Sequence, residues 1–446
     1  VTAVLSLGRG GRWGQFQVLD LVIPLALALA LFPGGVYVSL VLLLVLLFCG
    51  RIPDALAANV LLTLANPTIF DTSAMGLLRY IPLLLGMALL WPRNRVADLG
   101  VGWSLLSCAA LLIFNAALVS QLPSISLFKG VLFILVLWVL FNTDRVDWEA
   151  FAFRVDRFIP LYLLLSLPVL AFPSIGFSVN GTGFQGITNQ PQAFGVWMSL
   201  GASWLLYRSW NGRCALARPW MLLVLPGLLV CILLSEARTA LLGFGAAALV
   251  TALIMIFRSP RRFGLRLLMA LLVLAGGSLL ARNNATLETF LFKRSQASDI
   301  LGAAQASRGF LVERSLENFR AHPLLGIGFG VPSNPETAEI SYAPVVGVPI
   351  AVALEKGVWI SAALEEQGVV GTLALLCVFL ALMTYAVVRR SWMALPMMLY
   401  FLTSNLGEMT MFSMGGTGQL QWLLLMTSLK LFEPGMTKAP GQVGHA

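Results

Sequence analysis

Most of this chain reads as apolar runs joined by short polar connectors, the pattern of a membrane protein built from helices. The runs lie at 18–32, 36–49, 54–65, 77–91, 101–118, 128–141, 158–172, 187–207, 219–234, 238–257, 265–281, 366–388, 393–405 and 417–432. A helix crossing hydrocarbon needs about 20 apolar residues, and fewer where neighbouring protein shields its ends. Several runs are shorter than that, so 36–65 and 393–432 could each hide a broken or re-entrant helix. The expected fold is all-α and polytopic, with roughly 12–14 transmembrane helices.

One stretch breaks the pattern. From Ala281 to Glu365 the chain carries Arg282, Lys293, Arg294, Arg308, Arg314, Arg320 and Lys356, together with Glu288, Asp299, Glu313, Glu317, Glu336, Glu339 and Glu355. A connector that long inside a polytopic protein is usually functional. The expected organisation is transmembrane helices over 1–281 (about eleven, by span length), a loop with amphipathic helices over 282–365, further spans over 366–432, and a cytoplasmic tail over 433–446.

Composition agrees with the pattern. Hydrophobic residues make up 58% of the chain and charged residues 11%, far fewer charges than a soluble domain carries. A net charge of +9 would suggest nucleic acid in a soluble protein. Here the cations fall in alternate connectors, so no nucleic-acid partner is expected. With the N-terminus inside, the inner connectors hold Arg51, Arg93, Arg95, Arg145, Arg154, Arg157, Arg208, Arg213, Arg258, Arg261 and Arg262, among others. The short outer connectors hold only Arg79, Lys129 and Arg238. The positive-inside rule therefore puts the N-terminus in the cytoplasm and the long loop outside. Arg9 and Arg12 precede the first run with no small-residue cleavage site after it, so that span is expected to be retained.

Cys49, Cys108, Cys214, Cys231 and Cys377 are scattered, with no disulfide framework and no CxxC site. His322 and His445 are the only histidines, which excludes a multi-histidine metal centre.

Four segments converge on the outer side. Gly186–Gly195 (GITNQPQAFG) turns into a helix whose first amides could face a ligand or simply cap it. Ser235–Ala240 (SEARTA) places a charged pair between two spans, which is costly at membrane depth and favours function over an interfacial snorkelling pair. Ser307–Gly330 combines an amphipathic helix over 308–321 with the run Pro323-Leu324-Leu325-Gly326-Ile327-Gly328-Phe329-Gly330. Ser307 is its plausible N-cap, Pro323 ends it, and Phe310, Leu311, Leu316 and Phe319 are its candidate buried side. Arg314 and Arg320 also read as a solvated face. His322 reads as a cap, and the glycines lack the βαβ context of a nucleotide site. The last segment is Glu355-Lys356-Gly357, followed by Glu365 to Gly371 (EEQGVVG), where the loop returns to the membrane. Glu355 and Lys356 also read as a surface pair, and the two glutamates as charges favouring a helix N-terminus.

In this order the four segments resemble the bacterial O-antigen ligase and O-antigen polymerase superfamily, over roughly 180–372. The resemblance implies a metal-independent, GT-C-like membrane glycosyltransferase of the bacterial inner membrane, with its active site facing the periplasm. Its donor would be a glycan on undecaprenyl diphosphate. Its acceptor would be another lipid-linked repeat unit in a polymerase, or lipid A-core in a ligase. Chain-length regulators or flippases would be further partners besides the bilayer, and no cofactor or metal is implied.

Guanidinium groups suit a diphosphate leaving group, and no Asp-x-Asp metal motif is present. Arg238 and Arg308 match the family arginines and are expected at the diphosphate, with Glu355 as base. Arg314, Lys356, Gln192, Asn189 and Glu366 are expected to bind substrate. Two departures from the ligase pattern stand out. Phe184 and Gln185 stand where ligases often carry an Arg, and Glu355-Lys356-Gly357 stands where they carry a His. The missing His tilts the reading from ligase to polymerase. A transporter remains a third reading, against which stand the absence of internal repeats and the one-sided charges.

Overall fold

The computed structural model describes residues 18–432 except 73, 94–95, 180, 259–299, 343–346, 348, 353–355 and 408. Helices dominate: α1 (Val22–Leu29), α2 (Gly35–Phe48), α3 (Ile52–Thr63), α4 (Tyr80–Leu89), α5 (Leu99–Leu118), α6 (Pro123–Asn142), α7 (Trp148–Ser166), α8 (Pro191–Trp210), α9 (Arg218–Leu234), α10 (Arg238–Arg258), α11 (Ile300–Ala321), α12 (Trp359–Val388), α13 (Ala394–Ser404) and α14 (Thr417–Lys430). The strands β1 (Ile340–Tyr342) and β2 (Pro349–Val352) form one antiparallel hairpin.

This is an all-α polytopic membrane fold. Among the described residues α5, α6, α10 and α12 are long and apolar enough to cross a membrane, and α2, α3 and α9 are shorter apolar helices. The outer faces agree. On α2, Tyr37, Val38, Val41, Val45 and Phe48 are exposed, as are Trp220, Leu222, Leu223 and Val230 on α9. Apolar faces of that extent need lipid rather than water around them. Helix α14 is the opposite case: from Thr417 to Leu429 every residue is buried, which makes it the central post of the bundle. Around it Trp422 packs on Phe401 (4.6 Å between centroids) and stacks on Phe379 (5.7 Å).

Polar groups gather at the two ends of the bundle. At one end Asp54 on α3 takes a fork of bonds from Arg154 on α7, both 2.7 Å, and pairs with Arg51 at 3.0 Å. Nearby on α7, the fully buried Asp156 accepts from Arg208 Nε, Trp204 Nε1 and the Ala215 amide, each at 2.8 Å. Charged residues therefore belong inside α7, which begins at Trp148, capped by Asp147, and not at 158 as its apolar pattern suggests.

The other end is held by a strap running from Pro323 to Val331. Helix α12 is broken at Gly368 (φ 62°, ψ −167°), a conformation open to glycine alone. The break frees backbone groups, and the strap satisfies them. Val369 and Val370 donate to the carbonyls of Pro323 (2.9 Å) and Leu324 (3.2 Å), while the amides of Ile327 and Gly328 donate to those of Glu365 and Glu366, both 2.9 Å. A Cβ on Gly368 would meet the backbone of Leu324 and Leu325. Across the strap, Asn115 donates to the Leu325 carbonyl, Gln121 N to Ile327 O (2.9 Å) and Ser126 Oγ to Phe329 O (2.8 Å). The two glycine-containing motifs at 323–330 and 366–371 are thus one backbone-paired unit wedged against α5 and α6.

Two more boundaries and one buried face differ from expectation. Helix α12 starts at Trp359 rather than 366, because Glu365 and Glu366 find partners inside the protein. Helix α11 already includes Ile300, so Ser307 lies within it and is not its N-cap. Phe310 is 76% exposed, whereas Ser315 is the buried residue of that face, so α11 docks through polar contacts. The expected span at 265–281, the segment with Arg9 and Arg12 before Val18, and the tail at 433–446 lie outside the described residues.

Candidate functional site

A cavity of about 780 Å³ opens at the strap end of the bundle. Four elements build it. The first is the extended segment before α8. The Asn66 amide donates to Ile187 O (2.9 Å) and the Asn189 amide to Leu64 O (2.7 Å), which ties the segment to the end of α3. Pro191 then starts α8, and Asn189, Gln190 and Gln192 line the cavity.

The second element is the α4–α6 side, which brings Arg79, Tyr80, Phe128 and Lys129. Arg79 lies over the Tyr80 ring at 4.9 Å and donates from Nη2 to its hydroxyl at 3.0 Å. Its Nε is buried with no hydrogen-bond partner. The third is the loop between α13 and α14, which contributes Met409, Thr410, Phe412, Ser413 and Met414. Asn405 Oδ1 holds this loop by accepting from the amides of Thr410 (2.7 Å) and Met411 (2.9 Å). The fourth is the strap with the end of β2 and the chain after it, which adds Phe329, Gly330, Val352 and Lys356. Phe329, Phe412 and Phe133 pack at centroid distances of 5.1–5.6 Å and give the cavity an apolar floor.

Behind the wall lies a buried charge cluster. The Lys356 ammonium is 3.0 Å from Glu365 Oε2 and 3.1 Å from Glu366 Oε1, with all three side chains fully buried. Both contacts are close ion pairs, although the ammonium and Glu366 Oε1 make no directed hydrogen bond. Glu365 also accepts from Ser315 Oγ (2.8 Å) and Asn318 Nδ2 (2.7 Å), which docks α11 on α12. Glu366 Oε2 accepts the Gly330 amide at 2.7 Å, and the Gly330 carbonyl accepts from Lys129 Nζ at 3.0 Å.

Chemically the cavity offers cations from Arg79 and Lys129, with the Lys356 ammonium buried in its wall between two glutamates, and neutral amides, hydroxyls and an apolar floor. Two of its polar atoms, Arg79 Nε and Asn189 Oδ1, are buried with no hydrogen bond. Such atoms are rare in native proteins and call for an explanation, a ligand among them. Among the described residues no group of three His, Cys, Asp or Glu side chains could hold a metal ion.

Of the residues expected from the sequence, Lys356, Asn189 and Gln192 line this cavity. Glu366 does not line it and stands directly behind Lys356. Arg238 begins α10 outside the lining, with Nε and Nη2 buried and unpartnered. It follows a turn strained at Glu236 (φ 55°), which packs against Gly195 of α8, where a Cβ would meet Ser235 and Ala237. Arg314 points elsewhere, pairing with Glu317 and Asn334 at 3.0 Å. Arg308 lies on α11, but its side chain is outside the described residues, as is the whole of Glu355.

Arg79 and Lys129 were not among the expected site residues. They belong to no motif, and the available signal was their rarity: with Arg238 they are the only cations in the short connectors expected to face outward.

Residues 221–353, from α9 through β2, match a model of the O-antigen ligase family. That match supports a likeness to the O-antigen ligase and polymerase superfamily over that stretch, and together with the apolar helices it indicates a multi-pass membrane protein. No curated protein matches the chain. Arg79, Lys129, Lys356 and both cluster glutamates lie outside the matched stretch, so the cavity joins the family domain to the rest of the protein.

Proposed function

We propose, from a chain that carries an O-antigen ligase family domain at 221–353, that this protein transfers a glycan from a polyprenyl diphosphate to an acceptor hydroxyl at the periplasmic end of the bundle. The acceptor is a second lipid-linked repeat unit, so the product is a lengthened polymer. The observation that supports this best is a single cavity lined by Arg79, Lys129 and Lys356 beside Asn189, Gln190 and Gln192. Cations suit a diphosphate, and amides suit sugar hydroxyls.

In the reaction the acceptor oxygen attacks the anomeric carbon and the bond from that carbon to the phosphate oxygen breaks. The electron pair leaves with the diphosphate, whose growing charge the three cations stabilise. Attack opposite the leaving group inverts the anomeric centre. The acceptor proton passes to a base, for which Glu355, beside Lys356, is the proposed group. Arg238 and Arg308 remain proposed diphosphate ligands by their match to the superfamily motifs. Gln192 and Asn189 are the proposed sugar contacts.

The family's description favours a second reading, transfer of the glycan to lipid A-core. One assay separates the two. Purified protein in detergent receives its lipid-linked repeat unit with EDTA, and the products are resolved on a gel. A ladder identifies a polymerase, and transfer only after lipid A-core is added identifies a ligase. Silence in both, with native substrate, overturns the glycosyltransferase reading.

A further inference from the structure

The geometry points to Glu366 as a positioning residue that sets two of the cavity's cations at once, rather than a group that touches substrate. This inference rests on the proposed diphosphate site. Glu366 is fully buried and absent from the cavity lining. Yet each of its oxygens is committed to a residue that does line it: Oε1 stands 3.1 Å from the Lys356 ammonium, and Oε2 accepts the Gly330 amide at 2.7 Å. Gly330 in turn accepts from Lys129 at 3.0 Å. One carboxylate thus shares with Glu365 the charge that holds Lys356, and by itself reaches Lys129 through a peptide unit.

Glu365 differs, although it too pairs with Lys356. Its other partners, Ser315 and Asn318, are on α11 and line no part of the cavity. Glu365 joins helices, whereas both contacts of Glu366 lead to the cavity.

The arrangement has a physical rationale. A lysine is a flexible point charge that loses rotamer freedom when it grips phosphate. A buried counter-charge restrains the ammonium before substrate arrives, so less order is lost on binding. At Gly330 (φ 70°) any other residue would be strained, and its Cβ would meet the Lys129 side chain.

The test is a double-variant cycle on the full-length protein in detergent with EDTA, reading the Kd of farnesyl diphosphate as probe. E366Q keeps the shape and can still accept the Gly330 amide, but it removes one of the two carboxylate charges behind Lys356 and leaves Glu365 as its partner. K356M should weaken binding roughly tenfold and E366Q about fivefold, while K356M/E366Q should match K356M within about twofold, the coupling expected of residues acting as a unit. E366A, which also frees the Gly330 amide, should bind more weakly than E366Q, and that further loss should vanish in a K129M background.

Losses that simply add, or E366Q melting earlier with an unchanged Kd, would overturn the positioning role alone. If E366Q does not fold by itself, the double variant is compared with K356M instead: equal Kd supports the role, and a further loss overturns it. Failure of the wild-type protein to bind the probe overturns the diphosphate site and the inference together.

Discussion

The two ends of the bundle both bury charges, and they treat them oppositely. At the Asp156 end, each carboxylate oxygen has a donor, and the guanidinium of Arg208 also reaches the Arg213 carbonyl at 2.9 Å. At the strap end, Arg79 Nε, Asn189 Oδ1 and two nitrogens of Arg238 are buried without a hydrogen bond. A buried polar atom without a partner costs about 1–3 kcal/mol. A saturated cluster returns its cost as structure. An open one returns nothing until something else supplies the missing bonds. The contrast separates charges that hold the fold from charges that await a ligand.

That contrast is open to direct attack. The largest effect is expected from Asp156→Ala, which strands Arg208 in the interior and should remove about 3–5 kcal/mol of stability. Thermal unfolding in detergent measures it, and the transfer rate per folded molecule should stay at the wild-type level. Arg79→Ala should do the reverse, lowering the transfer rate about 10²-fold with little change in melting temperature. Loss of stability in step with rate would place Arg79 with the structural charges.

Gly368→Ala tests the seam between the two behaviours. It forces an L side chain into a glycine conformation against the strap and should cost about 1–3 kcal/mol, with a parallel loss of rate because the cavity wall moves. Arg314→Ala should matter least. Its pair with Glu317 is solvent-exposed, so the change should stay below about 1 kcal/mol and leave the rate near wild type. A large loss of rate there would move the substrate toward α11.

The sequence disclosed the fold and the site to different depths. Apolar runs located α5, α9 and α10 to within a few residues, because lipid-facing helices must be apolar along most of their length. Helix α7 was misplaced, since Arg154 and Asp156 look like a connector until Asp54 and Arg208 neutralise them. The motif around Asn189 and Gln192 was legible from its Gly and Pro, and Lys356 from its place where the loop returns. Arg79 and Lys129 were not, for they meet Lys356 only through folding, and no local pattern records a contact between residues so far apart. Phe310 was misjudged because helical periodicity cannot say that Glu365 would draw Ser315 and Asn318 inward instead.

The strap also bears on how the protein is made. Its hydrogen bonds reach back to Asn115, Gln121 and Ser126 and forward to the break at Gly368. The early helices can enter the membrane as they leave the ribosome, but the cavity wall cannot close until α12 has followed them. Contacts of such long sequence separation form late. A chain cut short before Trp359 would lack the break in α12, the α13–α14 loop and the central post α14, so the site is completed by the last helices and not by the insertion of the first spans.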